Sequence, residues 1–299
     1  MTTGGRPART GVPLGPENAV DIEARLAAIR RPLAELAPSD GTYSNLRLFA
    51  QAHRYEYLPG SWPCVSGLAY DGAPVLIPLF DLATAPLAVL GELQGRDAEF
   101  YPVAESVLRS MDPPTIVSRA LRDDADYLYR SAPFIDYVDA GLGPKRHALS
   151  RLLAATPVEV RPLDRADRGA AVAVLEGWCT DKQHGPDGAD AAACRAALED
   201  LRPGGALFGF LHVAGAIPIG FVLVEWLNPG VLAVRFAKGR SAYDGIFPHL
   251  FQDLARRFGS DLQWLNFEQD LGLANFRRTK QSYRPALLVA KHRVRVRAS

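Results

Sequence analysis

Residues Trp264–Pro285 read WLNFEQDLGLANFRRTKQSYRP, and this stretch decides the fold. Its apolar start predicts a strand over Leu262–Phe267. Gly272 breaks the pattern, Leu273–Thr279 has the composition of a short helix, and Ala286–Val296 reads as a final strand. Alternation along the first strand would put Asn266, Glu268 and Asp270 on one side of its end. Carboxyl ends of strands are where α/β folds commonly place their sites. Asp270 has a plain structural role available as N-cap of the helix that follows. Glu268 has none, which makes it the better candidate for acid/base chemistry or for binding an amine.

The same stretch opens a basic region. Leu271–Ser299 holds eight Lys or Arg and no Asp or Glu, against a net charge of only +1 for the chain. Arginines in such a patch suit a phosphate-rich ligand. Arg293, Arg295 and Arg297 alternate with Val294 and Val296, so an edge strand guarded by charge explains them equally well. Arg277 and Lys280 lie next to the acidic cluster in sequence and are the stronger candidates.

Working outward, the second half has a clear rhythm. Val158–Leu163 reads as a strand, and Arg165–Lys182 and Ala189–Leu201 as helices. Ala206–Val213, Ile217–Leu227 and Val231–Phe236 read as strands. Phe247–Phe258 reads as a helix with Leu250, Leu254 and Phe258 in register. The order β-α-α-β-β-β-α-β-α-β is that of GNAT acyltransferases, used here as an analogy for fold. The first half offers a helix over Ala19–Arg31 with Ile22, Leu26 and Ile29 on one face. Pro32 and Pro38–Gly41 then punctuate the chain, and a short helix over Tyr43–Phe49 follows. Cys64–Tyr70 and Pro74–Phe80 form a hairpin signal around Asp71-Gly72. Pro102–Ser110 reads as a helix, and Thr115–Val117 and Tyr127–Arg130 as strands. Gly141–Leu153 changes character: Gly143-Pro144 is a breaker, and Lys145, Arg146 and Arg151 follow on a helix. With Thr156-Pro157 as the boundary, the expected plan is a disordered tail over 1–18, a degenerate GNAT-like domain over 19–156 and a GNAT-like domain carrying the site over 157–299. The fold class is α/β, with two such domains in tandem.

Composition narrows the function classes. A near-neutral chain has no bulk attraction for polyanions, so any nucleic-acid contact must come from a local patch. Only five of the 34 basic residues are lysines, a bias that suggests a GC-rich bacterial genome. Cys64, Cys179 and Cys194 are far apart and the six histidines are scattered, so neither a disulfide framework nor a metal site is expected, and a reduced cytoplasmic setting is. The most apolar region, Val75–Leu93, is interrupted by Pro78, Asp81 and Pro86 and is too broken to span a membrane. The N-terminus has no apolar core of the kind a secretory signal needs. No motif calls for a cofactor. Phe236–Phe247, FAKGRSAYDGIF, occupies the place of a coenzyme A loop but lacks the tight glycine spacing, and its Tyr243–Gly245 reads equally as a turn before a helix.

The run Asn266-x-Glu268-x-Asp270-Leu271-Gly272, then Arg277 and Lys280, then Ser282-Tyr283-x-Pro285, resembles the C-terminal signature of the aminoacyl-transfer domain of lysylphosphatidylglycerol synthases. Upstream pieces resemble it too: Asp126-Tyr127-Leu128-Tyr129, the basic Lys145-Arg146 with Arg151, Phe236-x-Lys238 and Tyr243-x-Gly245. The resemblance implies tandem GNAT-like domains and transfer of an aminoacyl group from a charged tRNA. In lipid-modifying members the acceptor is phosphatidylglycerol and a transmembrane domain precedes the catalytic part. This chain has no such segment, and has Ala237 where a glutamate is expected.

The expected activity is therefore transfer from aminoacyl-tRNA to the amine or hydroxyl of a small soluble acceptor. Glu268, Asp270 and Arg277 are the expected catalytic set. Lys238, Lys280, Tyr283, Asn266, Lys145 and Arg146 are the expected substrate-binding set. The alternatives are an acyl-CoA-dependent N-acyltransferase, a phosphatidylglycerol aminoacylating enzyme and a non-catalytic binding protein.

Overall fold

Strand pairing sorts the chain into two sheets. The computed structural model describes residues 10–29, 38–183 and 190–297. Its strands begin with β1 (Val12–Pro13), β2 (Glu56–Leu58), β3 (Cys64–Leu68), β4 (Pro74–Pro78), β5 (Glu99–Val103), β6 (Ile116–Ala120) and β7 (Asp126–Arg130). They continue with β8 (Val158–Pro162), β9 (Leu207–Ala214), β10 (Ile217–Asn228), β11 (Val231–Gly239), β12 (Trp264–Asn266), β13 (Leu287–Val289) and β14 (His292–Val296). One sheet has the order β1-β2-β3-β4-β5-β14-β6 and the other β13-β7-β12-β11-β10-β9-β8. Both are mixed: β4–β5 and β11–β12 are parallel pairs among antiparallel ones. Helices Arg168–Lys182 and Ile246–Phe258 both pack on β10 and β11. The α/β class with two mixed, helix-flanked sheets agrees with the sequence reading.

The division between the units differs from the one expected. One unit is Met1–Leu121 with Ala290–Ser299, and the other is Arg122–Val289. Thr156-Pro157 is no boundary, because what precedes it is stitched into the second unit. Leu128 of β7 lies opposite both Asn266 of β12 and Leu287 of β13. Leu149 and Leu152 of the helix Gly143–Ala155 share a core with Leu250 and Leu254. A breaker dipeptide marks the end of a helix, and carries no information about which sheet the strand before it joins.

The expected final strand also splits. β13 joins β7, while β14 enters the first sheet between β5 and β6. Arg293 is therefore no edge-strand charge. It is fully buried, with Nη1 2.7 Å from Asp71 Oδ2. Burying an arginine is costly unless it is paired, and Asp71 supplies the counter-charge.

The later part of the expected disordered tail over 1–18 is built into the fold. Val12 and Pro13 pair with Tyr57 and Glu56, and Leu14 is buried. Asn18 closes the entry to the helix Pro16–Ile29: its Oδ1 accepts from Gly15 N–H and its Nδ2 donates to Pro13 O. Residues 1–9, Pro32 and Ala189, the expected start of a helix, lie outside the described residues. The Asp71-Gly72 hairpin forms as read, with Gly72 at φ +80° and Asp71 Oδ1 accepting from Ala73 N–H. Glu99–Val103 is a strand where Pro102 was expected to open a helix; the helix is only Glu105–Arg109. The three cysteines are buried and unpaired with one another.

Candidate functional site

β12 stops at Asn266 and the backbone turns at once. Glu268 and Leu271 both sit in the left-handed region, at φ +59° and +55°. The strand alternation expected to align Asn266, Glu268 and Asp270 therefore ends after the first of them, and each finds its own partners. Asn266 is fully buried. Its Nδ2 donates to Asp126 Oδ2 on β7 at 3.1 Å, and its Oδ1 accepts the Glu268 N–H at 2.7 Å. Lys280 Nζ donates to the carbonyls of Glu268, at 3.2 Å, and of Gln269. A left-handed non-glycine residue costs roughly 1 kcal/mol or more. The Asn266 side chain on one side and Lys280 on the other hold the turn in that conformation.

The turn presents the Glu268 side chain to Arg235 of β11, whose Nη1 donates to Glu268 Oε1. Arg235 also holds Glu225 of β10, with Nε 2.9 Å and Nη2 2.8 Å from Oε2. Arg235 and Glu225 are buried, whereas the Glu268 side chain keeps 21% of its surface open. One guanidinium between two carboxylates leaves the trio with a net charge of −1. Burial pushes the Glu268 carboxyl above the usual range, and Arg235 opposes that rise. Neither Arg235 nor Glu225 was among the sequence candidates. The signal was present, since each is a lone charge inside an apolar strand run, VLAVRF and FVLVEWL, and such residues need a buried partner.

Asp270 is fully buried and does not cap the helix Ala274–Gln281, whose N-cap is Leu273. Its Oδ1 instead accepts from Gly272 N–H at 2.9 Å, closing a turn one residue further back. Arg277 grips it bidentately, Tyr127 Oη donates to Oδ2 at 2.5 Å, and Arg122 Nη1 lies 3.4 Å away. Burial opposes ionisation here, but the hydrogen bonds from Arg277, Tyr127 and Gly272 prevail and hold the pKa at about 2. Arg277 also binds Asp123. Two carboxylates thus engage its guanidinium, whose side chain remains 34% exposed. Arg122, Asp123, Asp126 and Tyr127 come from the segment at the start of the second unit, too distant in sequence to be linked by spacing to this cluster.

The remaining candidates fall into two further places. Tyr283 is buried beneath Lys145, whose Nζ sits 4.2 Å from the ring centroid. Burial lowers the Lys145 pKa. Arg146, the next residue on the helix, is exposed. Lys238 is buried and pairs with Asp190 at 2.5 Å over the Trp178 ring, 3.8 Å from its centroid. The structure thus brings together Asn266, Glu268, Asp270, Arg277 and Lys280, and gives Lys238 different partners.

The glycines of the Phe236–Phe247 segment have packing reasons. A Cβ at Gly239 would lie 2.7 Å from Ile246 Cγ2. Gly245 sits at φ +98°, and a Cβ there would lie 2.4 Å from Ala148 O. The turn reading of Tyr243–Gly245 accounts for them without a bound nucleotide.

The profile of the family described as phosphatidylglycerol lysyltransferase, C-terminal, matches residues 32–295. The chain belongs to this family. A conserved protein of unknown function from Bacteroides thetaiotaomicron has a similar structure, with a TM-score of 0.77 at 18% identity, covering 96% of this chain and 99% of that one. The C-terminal domain of a putative lysylphosphatidylglycerol synthetase from Agrobacterium fabrum superposes with a TM-score of 0.64 at 13% identity, covering 94% and 93%. FemX gives 0.57 at 8% identity, covering 93% and 96%. At these identities the likeness is one of fold. No curated protein matches the sequence significantly. Membership of the lysyltransferase C-terminal family indicates a transferase of the aminoacyl or acyl class. Among the described residues no helix is long and apolar enough to cross a membrane.

Proposed function

We propose that this family member moves an aminoacyl group from aminoacyl-tRNA to the amine or hydroxyl of a small soluble acceptor. One observation carries the reading: Glu268 is a partly open carboxylate with an upward-shifted pKa, on a hydrogen-bonded turn beside Arg235. A carboxylate shifted towards neutrality suits proton transfer at physiological pH. The tRNA ester is already activated, so positioning and proton movement are what the protein must add. The acceptor nitrogen or oxygen attacks the aminoacyl carbonyl carbon. A C–N or C–O bond forms while the ester bond to the terminal ribose breaks. Glu268 takes the acceptor's proton and returns it to the departing ribose oxygen. Lys280 and the exposed edge of Arg277 face the phosphates of the tRNA end and the developing oxyanion. Lys145 and Arg146 extend the phosphate track, Tyr283 supports Lys145, and Asp270 orients Arg277. Lys238, buried against Asp190 and Trp178, is left out of this track.

The test is transfer of labelled amino acid from charged tRNA, offered at low salt with a metabolite extract and with phosphatidylglycerol vesicles. Label in a soluble product is the expected result, with tRNA binding that weakens steeply as salt rises. Label in the vesicles would move the acceptor to lipid. If charged tRNA is neither consumed nor bound at low salt, the reading fails.

A further inference from the structure

Arg235 sits at an irregularity in the sheet. Leu223 lies opposite Phe236, yet the next residue, Val224, lies opposite Val234. Arg235 is therefore the extra residue of a β-bulge. Ala233 lies opposite Glu225, and alternation from Ala233 puts Arg235 on the Glu225 face of the sheet. From there it reaches Glu225 on one side and Glu268 on the other. Bulges are built features that re-aim side chains, and they concentrate beside active sites. The surroundings make the placement costly. Leu223, Val224, Val234 and Phe236 are all buried, and a buried ion pair seldom outperforms well-packed apolar residues in stability.

We propose that Arg235 is a positioning residue for Glu268, and that Glu225 behind it sets how much of the guanidinium charge Glu268 receives. The inference rests on the reading of Glu268 as the proton acceptor. Four charged groups face or back this carboxylate: Arg235 from β11, Asp126 from β7, Lys280 from the helix Ala274–Gln281, and Glu225 on β10 through Arg235. Arg235 bonded to Glu268 alone would hold it firmly ionised. Sharing with Glu225 weakens that hold and leaves Glu268 able to accept a proton. The device makes a prediction of opposite signs that structural damage does not imitate. Glu225→Gln frees the guanidinium for Glu268 and lowers the pH at which Glu268 titrates. Arg235→Gln raises it.

The experiment is a pH titration of the full chain labelled with ¹³C at glutamate carboxyls, with the Glu268 signal assigned by its loss in Glu268→Gln. Folding of each variant is checked by circular dichroism. We expect Glu225→Gln to lower the Glu268 midpoint by about one pH unit, the scale of a nearby charge change. The acid limb of the transfer rate is expected to move the same way. An unchanged or raised midpoint in folded Glu225→Gln protein overturns the proposal, as does a lowered midpoint with an unmoved acid limb. If Arg235→Gln fails to fold, the Glu225→Gln titration decides by itself. A wild-type chain that transfers nothing at any pH defeats the proposed function, while the titration still decides the charge sharing because it needs no tRNA.

Discussion

Arg277 and Asp270 meet fork to fork, with Nε 2.8 Å from Oδ2 and Nη2 3.0 Å from Oδ1. The pair ties the helix Ala274–Gln281 to the turn after β12 and so fixes where Lys280 reaches. The folded pKa of Asp270, about 2, lies below that of an unfolded aspartate. Its ionisation therefore stabilises the fold above about pH 4, and that contribution is lost as pH falls from about 4 towards 2. Asp270→Asn should lower the Tm at neutral pH and remove this acid-range step. Thermal melts across that pH range check both effects. Arg277→Lys, which keeps the charge and loses the fork, should fall between wild type and Asp270→Asn.

Glu268→Gln should separate function from stability. A raised folded pKa means that the ionised form is less favourable in the folded chain than in the unfolded one. Removing that charge while keeping a hydrogen-bonding amide for Arg235 should leave the Tm at pH 7 unchanged or higher. Aminoacyl transfer should fall by roughly 10²–10⁴-fold, the usual worth of a general base. A clear drop in Tm would show that Glu268 is chiefly structural.

His212 on β9 and His249 on the helix Ile246–Phe258 share one hydrogen bond, Nδ1 to Nδ1, at 2.9 Å. Burial pushes both imidazoles below their ordinary pKa; His249 adds to the fall at His212, which also feels Arg257, while Asp253 and Arg256 act on His249 in opposite directions. The folded chain thus keeps them neutral while the unfolded chain protonates them. Stability should be complete above the unfolded histidine pKa, near 6.5, and decline as pH falls below it. Urea titrations at pH 5.5 and pH 8 measure the decline, and the double substitution His212→Leu, His249→Leu should reduce it.

Gly245→Ala tests whether that glycine serves packing. The new methyl would meet the Ala148 carbonyl at 2.4 Å, and the residue would be held at φ +98°. Together these should cost about 2–4 kcal/mol in urea unfolding. A neutral substitution would return the segment to consideration as a ligand loop.

The strand, turn and short helix of Trp264–Pro285 were legible because apolar periodicity and a glycine break are local signals. So were the Asp71-Gly72 hairpin and the helix Ile246–Phe258. Glu268 stood out for a related reason: no local structural role explained it. Arg235 and Glu225 were visible as lone charges in apolar runs, but nothing in their spacing joined them to Glu268, because that meeting depends on which strands pair.

Local pattern was enough for most elements of the second half, the family signature and the acidic-then-basic character of the candidate site. Tertiary structure alone decided what those residues touch. Asn266 meets Asp126 across 140 residues of chain, and Asp270 meets Tyr127 across 143. It also decided that one apparent strand divides after Val289, its first part joining β7 and its second passing between β5 and β6. The physical reason is common to all three. A residue's periodicity records how much of it is buried and on which face, whereas its partner is chosen by strand pairings between segments far apart in the chain, which no local pattern encodes.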